Sequence, residues 1–175
     1  NFRKVKRIPD IIKIFYNIQK VMPAKLMMVG DGPEKEKAEA LCMELGIYDK
    51  VIFFGNSNEI DKILLLTDLF LLPSETESFG LAALEAMACA VPVISSNSGG
   101  LPEVNFDGFS GYLSNVGDVE EMAANAIKIL KDDIVLNQFK KNALEVAKKF
   151  DIKNILPKYE ALYQKAIDDY KHEKH

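Results

Sequence analysis

Residues 73–92 read P-S-E-T-E-S-F-G-L-A-A-L-E-A-M-A-C-A-V-P, and this stretch decides the fold. An apolar run, Leu69-Phe70-Leu71-Leu72, precedes it and has the length of a buried strand. Ser74 to Ser78 is polar and turn-like, and Gly80 lets backbone or ligand come close. Leu81 to Ala90 is rich in Ala, Leu and Met, all strong helix formers. The order is therefore strand, loop, helix, with the helix starting near Ser78 to Gly80. Its free N–H groups and positive dipole end face outward, which suits an anion such as phosphate. Glu77 and Glu85 flank that start with seven residues between them. Glu85 sits roughly 7 Å along the axis from the start. A carboxylate there repels a phosphate stacked on it but accepts hydrogen bonds from a diol such as ribose. Glu77 can serve a second hydroxylated group. Phosphate between two sugar-like groups outlines a nucleotide-sugar. On spacing alone, a strand–loop–helix unit with two solvated glutamates fits equally well.

The chain has 175 residues, 48% hydrophobic and 27% charged, which is ordinary for one globular domain with a real core. A net charge of −4 argues for neither nucleic acid nor an anionic membrane as partner. No run of about 18 apolar residues could span a membrane, and no signal peptide is visible. Cys42 and Cys89 lie in Ala/Leu/Met-rich helical patterns. They read as buried, reduced thiols of a cytoplasmic protein rather than metal ligands. His172 and His175 sit in a polar tail and read as solvated. The chain does not open on Met, and it is expected to be a domain excised from a longer protein.

Asn1 to Arg7, N-F-R-K-V-K-R, carries four cations in seven residues. A helix follows, with Pro9 in its first turn and Ile11, Ile12, Phe15, Ile18 and Gln19 at helical spacing. A cationic loop entering a helix makes a phosphate contact, or else a solvated basic loop. Lys25 to Gly30 is a short strand ending in the sharp turn G-D-G-P, where Gly30 and Gly32 allow close approach. The dinucleotide fingerprint G-x-G-x-x-G is absent, which disfavours a nicotinamide oxidoreductase. A helix over Glu34 to Leu45 ends at Gly46. A strand over Val51 to Gly55 and a helix over Asn56 to Thr67 come next. After the organising helix, Val91 to Ser95 is a strand and Ser98 to Glu103 a tight loop around Gly99 and Gly100. Gly111 to Leu113 is a strand, and Asp118 caps a helix over Val119 to Leu130. Two further helices span Ile134 to Phe150 and Ile152 to Tyr170. On the last, Tyr159, Leu162, Tyr163 and Ala166 share a face that reads as packing. Alternation over residues 9–131 predicts an α/β fold, a Rossmann-like doubly wound parallel sheet of about five strands. Residues 1–150 form the domain, and 151–175 a trailing helix.

E-S-F-G-L-A-A-L-E-A-M-A-C-A-V-P-V-I, followed by G-G-L-P-E-V, resembles the donor-binding signature of retaining glycosyltransferases with the GT-B fold. The resemblance implies that Glu77 touches the donor sugar and that Glu85 holds the ribose. It gives Ser78, Phe79, Gly80, Leu81 and Ala82 the task of presenting backbone N–H groups to sugar and phosphate. It makes residues 1–7 the loop that neutralises the diphosphate, with Lys6 at the family's Lys position. The family's Arg position falls on Asn1, and Arg3 is the substitute. Gly30 and Gly32 would line the nucleotide cleft; Ile52, Phe53, Phe54 and Gly55 would read the uracil edge. The family's domain has one more strand ahead of Asn1, so the sheet is expected to lack an edge. Its last helix packs back toward an N-terminal acceptor domain, the implied partner; homo-oligomerisation of the full-length protein stays open.

By the same resemblance the reaction needs no cofactor and no metal, the UDP-sugar being substrate. Lys6 and Arg3 would stabilise the leaving diphosphate, as a positive clamp does. Glu77 would orient the sugar rather than attack it, with retention by a front-face route. N-F-R-K-V-K-R and the rest of the chain are similar to bacillithiol-pathway members of the family, which implies UDP-GlcNAc as donor and L-malate as acceptor. Two alternatives stay open: a retaining transferase with another donor and a lipid or glycan acceptor, and a non-catalytic nucleotide- or sugar-binding module.

Overall fold

Helix α1 (Ile8–Gln19) carries apolar residues around much of its circumference, so it must be covered on more than one side. In the computed structural model, which describes residues 1–172 with side chains through 170, that is where it sits. Ile8, Ile12 and Phe15 join Phe2, Met28, Ala38, Cys42, Ile47 and Val51 in one core. Ile14 and Ile18 join Ile94, Met122, Ala126 and Ile129 in another. Around α1 the elements alternate: β1 (Leu26–Val29), α2 (Lys35–Glu44), β2 (Val51–Gly55), α3 (Ile60–Leu64), β3 (Phe70–Leu72), α4 (Leu81–Ala88), β4 (Val93–Ser96), α5 (Leu101–Val104), β5 (Gly111–Ser114) and α6 (Val119–Leu130). Two long helices close the order, α7 (Asp133–Lys149) and α8 (Ile152–His172). The expectation for His175 and for the end of the 151–175 segment lies outside the described residues, as does the side chain of His172.

Every strand pair is parallel, as the alternation predicts. Leu26 pairs with Val51 at the start of β1–β2, and a register shift falls between Met28 and Val29. In the other group Phe70 pairs with Val93, and Val93 with Gly111. The strands do not form one sheet, however. β1–β2 and β3–β4–β5 are separate, and a cavity of about 960 Å3 lies between Leu26–Val29 and Leu69–Leu72. The expected shortfall at an edge is therefore a break in the middle, with the unpaired sides of β1 and β3 on the cavity. A third core, built from Leu72, Ala83, Ala86, Met87, Val93, Leu101, Val104, Ala143 and Val146, joins α4 and α7 to the second sheet.

Several local expectations shift. The helix expected over 56–67 contracts to α3, because the Ser57 hydroxyl takes the Glu59 N–H at 3.1 Å and forms a side-chain turn instead. The loop expected over 98–103 contains α5, a single turn opened by Pro102 that buries both Leu101 and Val104. Cys42 is buried, but Cys89 is only half-buried. The Tyr face of α8 is largely exposed: Tyr159, Leu162 and Tyr163 are 55%, 60% and 65% exposed. α6 begins at Asp118 as expected, with the Asp118 carboxylate accepting from the Glu121 N–H at 3.0 Å.

The second sheet is tied at its end by Asn105, a residue that the sequence gives no reason to single out. It is fully buried, and its amide donates to the Ser95 hydroxyl at 2.9 Å and the Val93 carbonyl at 3.1 Å. Its carbonyl oxygen accepts from the Ser110 hydroxyl at 3.0 Å. Asn105→Ala strips partners from several buried groups at once, and each such group costs about 1–3 kcal/mol. A loss of about 3 kcal/mol in a urea melt is the expected result.

Candidate active site

Two loops far apart in sequence meet at the C-terminal ends of the strands, where open α/β sheets collect ligands. One is the basic turn of residues 1–7; the other is the loop of residues 73–79. The Glu75 N–H donates to the Val5 carbonyl at 2.8 Å. Beside it, the Lys6 ammonium forms an ion pair with the Glu77 carboxylate. The same Glu77 oxygen accepts from the Ser74 hydroxyl at 2.9 Å. The cation and the carboxylate singled out from sequence thus share one site, 71 residues apart along the chain.

The basic turn divides its four cations. Residues Lys4–Lys6 form a 3-10 turn, and Arg7 adopts a left-handed conformation (φ 51°) that swings the chain into α1. Arg7 Nε donates to Asp10 Oδ2 at 2.5 Å, so this cation is spent on the helix start. Arg3 is exposed and has no ion pair among the described residues. Its charge is thus not spent on a carboxylate of the described residues, whereas that of Lys6 is.

The loop at 73–79 is built rigidly. Gly100 N–H donates to the Glu77 carbonyl at 2.9 Å, and the Ser98 hydroxyl to the Glu75 carbonyl at 2.7 Å. Gly99 sits at φ 56°, and a Cβ there would lie 2.0 Å from the Glu77 carbonyl oxygen. A Cβ on Gly100 would lie 2.6 Å from the Ser78 oxygen. The paired glycines are therefore required for two backbones to touch, which makes them a buttress of the loop. Phe79 leans edge-on against Phe150 at the end of α7, ring centres 5.9 Å apart.

Gly80 (φ 92°) precedes α4, and no side chain caps that helix. Its first N–H groups, at Leu81 and Ala82, are thus left without a side-chain partner. Leu81 is 65% exposed, while Ala83, Ala86 and Met87 bury the opposite face. Glu85 is exposed one turn along α4 and borders both the large cavity and a smaller groove of about 380 Å3 between α4 and α7.

The remaining sequence-derived positions lie in the first sheet. Gly30 and Gly32 both have positive φ, and a Cβ on either would strike the backbone of Asn1 or Phe2. Their small size is thus already demanded by the chain itself: Phe2 N–H donates to the Asp31 carbonyl at 2.9 Å. In β2, Ile52 and Phe54 are 42% and 46% exposed, so the strand is half open rather than buried. Phe53 lies between Phe2 and Tyr48, and the Gly55 carbonyl accepts from Gly30 N–H at 2.7 Å. Ser74 and Asn105 are the contributors that sequence reading missed. The S-x-x-E spacing of Ser74 and Glu77 is the one signal that could have found the first.

With this geometry in hand, the comparisons are specific. The family model described as glycosyl transferases group 1 matches residues 1–146. The chain belongs to the group 1 glycosyltransferases. It is 43% identical over 175 residues to N-acetyl-alpha-D-glucosaminyl L-malate synthase of Bacillus anthracis, covering 99% of this chain and 46% of that protein. It is 33% identical over 159 residues to D-inositol 3-phosphate glycosyltransferase of Mycobacterium marinum, covering 85% and 34%. Among solved structures, sucrose-phosphate synthase from Thermosynechococcus elongatus superposes with a TM-score of 0.84 at 27% identity, over 96% of this chain and 44% of that one. HepE from Anabaena in complex with UDP-glucose gives 0.82 at 26%, over 94% and 47%. These neighbours are GT-B glycosyltransferases, and the fold is Rossmann-like with parallel strands flanked by helices. The chain spans less than half the length of these relatives. No helix among the described residues is long and apolar enough to cross a membrane.

Burial and neighbouring carboxylates set the chemistry of Cys89, at the end of α4. Burial pushes its thiol up, and the carboxylates of Asp61 and then Glu85 push it further. Burial, then Glu39, does the same to Cys42. Both thiols stay protonated past the pH at which a free cysteine ionises, and the thiolate is the nucleophile. Iodoacetamide labelling followed by mass spectrometry at pH 8 should find both slower than glutathione, with Glu85→Gln speeding Cys89 and leaving Cys42 unchanged.

Proposed function

We propose that this chain is the nucleotide-sugar donor domain of a retaining glycosyltransferase that moves N-acetylglucosamine from UDP-GlcNAc to L-malate. The observation that carries the reading is the 43% identity to the N-acetyl-alpha-D-glucosaminyl L-malate synthase of Bacillus anthracis over 175 residues. The meeting of Lys6 and Glu77 at one site supports it. The UDP-glucose bound by the Anabaena neighbour supports the donor class.

In this reading sugar and diphosphate lie over the backbone N–H groups of Ser78 to Ala82, in the loop that enters α4 and its first turn. A helix start favours negative charge there, and no metal is needed to hold it. Lys6 and Arg3 face the same charge from the other loop. As the sugar–phosphate bond breaks, the nucleotide gains charge, and fixed cations and amides stabilise that state more than the ground state. Glu85 accepts the ribose hydroxyls. Glu77 accepts sugar hydroxyls and orients the ring. Ile52 to Gly55 meet the base, with Gly30 and Gly32 beneath the nucleotide. The acceptor is held by an N-terminal domain of the same protein, so donor binding and transfer are separable activities.

Calorimetric titration checks this. UDP and UDP-GlcNAc should bind the 175-residue chain, with GDP, ADP and NAD at least about tenfold weaker, a difference of about 1.4 kcal/mol. Lys6→Ala and Glu85→Ala should each weaken UDP about tenfold or more, as expected for a lost charge-assisted contact. Preference for GDP, ADP or NAD would replace the donor assignment. The chain alone should release no UDP when given UDP-GlcNAc and L-malate; measurable transfer would refute the two-domain division of labour.

A further inference from the structure

The Lys6–Glu77 pair joins the two charged groups that the donor reading assigns to the diphosphate and to the sugar. Each partner has a task toward the donor, yet each is occupied by the other. A diphosphate carries more negative charge than one carboxylate, so it draws Lys6 away. Glu77 would then be a lone carboxylate on a loop at the moment when its direction matters. Among the described residues Glu77 has one further side-chain partner besides Lys6. The Ser74 hydroxyl donates to the same Glu77 oxygen, at 2.9 Å.

Ser74 is built to hold still. It is fully buried at the end of β3, whereas Lys6 is a flexible side chain 30% exposed. Its own carbonyl accepts from the hydroxyl of Ser96, also fully buried, at the end of β4. The neighbouring Glu75 carbonyl takes the Ser98 hydroxyl, and the Glu77 carbonyl takes Gly100 N–H. Main chain and side chain of the loop are thus fixed largely from the second sheet, with one further tie from the Glu75 N–H to the Val5 carbonyl of the basic turn. A serine hydroxyl has a single proton to donate, and here it goes to Glu77.

We infer that Ser74 is the positioning residue of Glu77, keeping that carboxylate aimed at the donor sugar when the diphosphate takes Lys6. Ser74 touches no substrate; it acts through Glu77. The inference rests on the donor-domain reading above and deepens it, because it separates recognition of the sugar from recognition of the nucleotide.

The test is a comparison of two ligands on one chain. UDP and UDP-GlcNAc are titrated, by NMR or calorimetry, into the wild-type chain, Ser74→Ala, Glu77→Ala and the double variant. Ser74→Ala should weaken UDP-GlcNAc about five- to tenfold, the loss of one hydrogen bond to a charged group. It should leave UDP within about twofold. In the Glu77→Ala background the same change should cost nothing more, because the two residues act as one unit. Ser74→Thr keeps the hydroxyl and should restore the preference for UDP-GlcNAc. Retained UDP binding is the control that each variant is folded. Equal weakening of both ligands by Ser74→Ala would overturn the inference, since a merely structural serine loosens the whole loop. So would an undiminished loss in the Glu77→Ala background. A wild-type chain that binds neither ligand instead overturns the donor-domain reading, and this assignment with it.

Discussion

The fold depends on α1 being buried from two directions at once. Ile12 and Phe15 face the first sheet and α2; Ile14 and Ile18 face β4 and α6. A helix with one apolar stripe would serve one layer only. This one holds two sheets that share no backbone hydrogen bond. It also fixes where its own N-terminus lies, and so carries the basic turn of residues 1–7 to the strand ends. The site exists because the same helix that joins the cores delivers Lys6 to the loop of Glu77.

At that junction, electrostatics and backbone packing do different jobs. The ion pair is partly solvated, with Lys6 30% and Glu77 15% exposed in their side chains, and such pairs stabilise a fold only modestly. The loop's shape comes instead from backbone acceptors taken up by Ser96, Ser98 and Gly100, and from glycines that allow direct backbone contact. A charge pair that contributes little to stability can exchange partners at little cost. A loop fixed by neutral hydrogen bonds keeps its form while that happens.

Much of this was legible in the chain. The alternation of short apolar runs with helical patterns predicted parallel strands, and the Ala/Leu/Met run after Gly80 predicted α4, because both signals are local. Asp118 announced α6 for the same reason. Glu77, Glu85 and Lys6 were found by motif, and the structure pairs two of them. What stayed hidden is long-range. Asn105 looks like any loop asparagine until the strands it ties are in place. Ser74 looks like turn punctuation until Glu77 folds back on it. α5 was masked by Gly-Gly and Pro, which mark turns locally, while burial of Leu101 and Val104 makes the turn helical. The break between β1 and β3 concerns which strands are neighbours, and periodicity along one strand does not encode its neighbour.

That break has a consequence for how the molecule comes apart. Sheets normally spread disruption through lateral hydrogen bonds, so that loss of one strand loosens the next. Among the described residues no strand pairing crosses the cavity, and the two sheets are joined instead by packing on α1 and Ala24 and by the contacts of the basic turn with the loop of Glu77. Proteins open in cooperative units whose borders follow gaps in contact density. In this 175-residue chain the border between two such units is therefore expected to fall at the cavity, with β1, α2 and β2 on one side and β3 to β5 on the other.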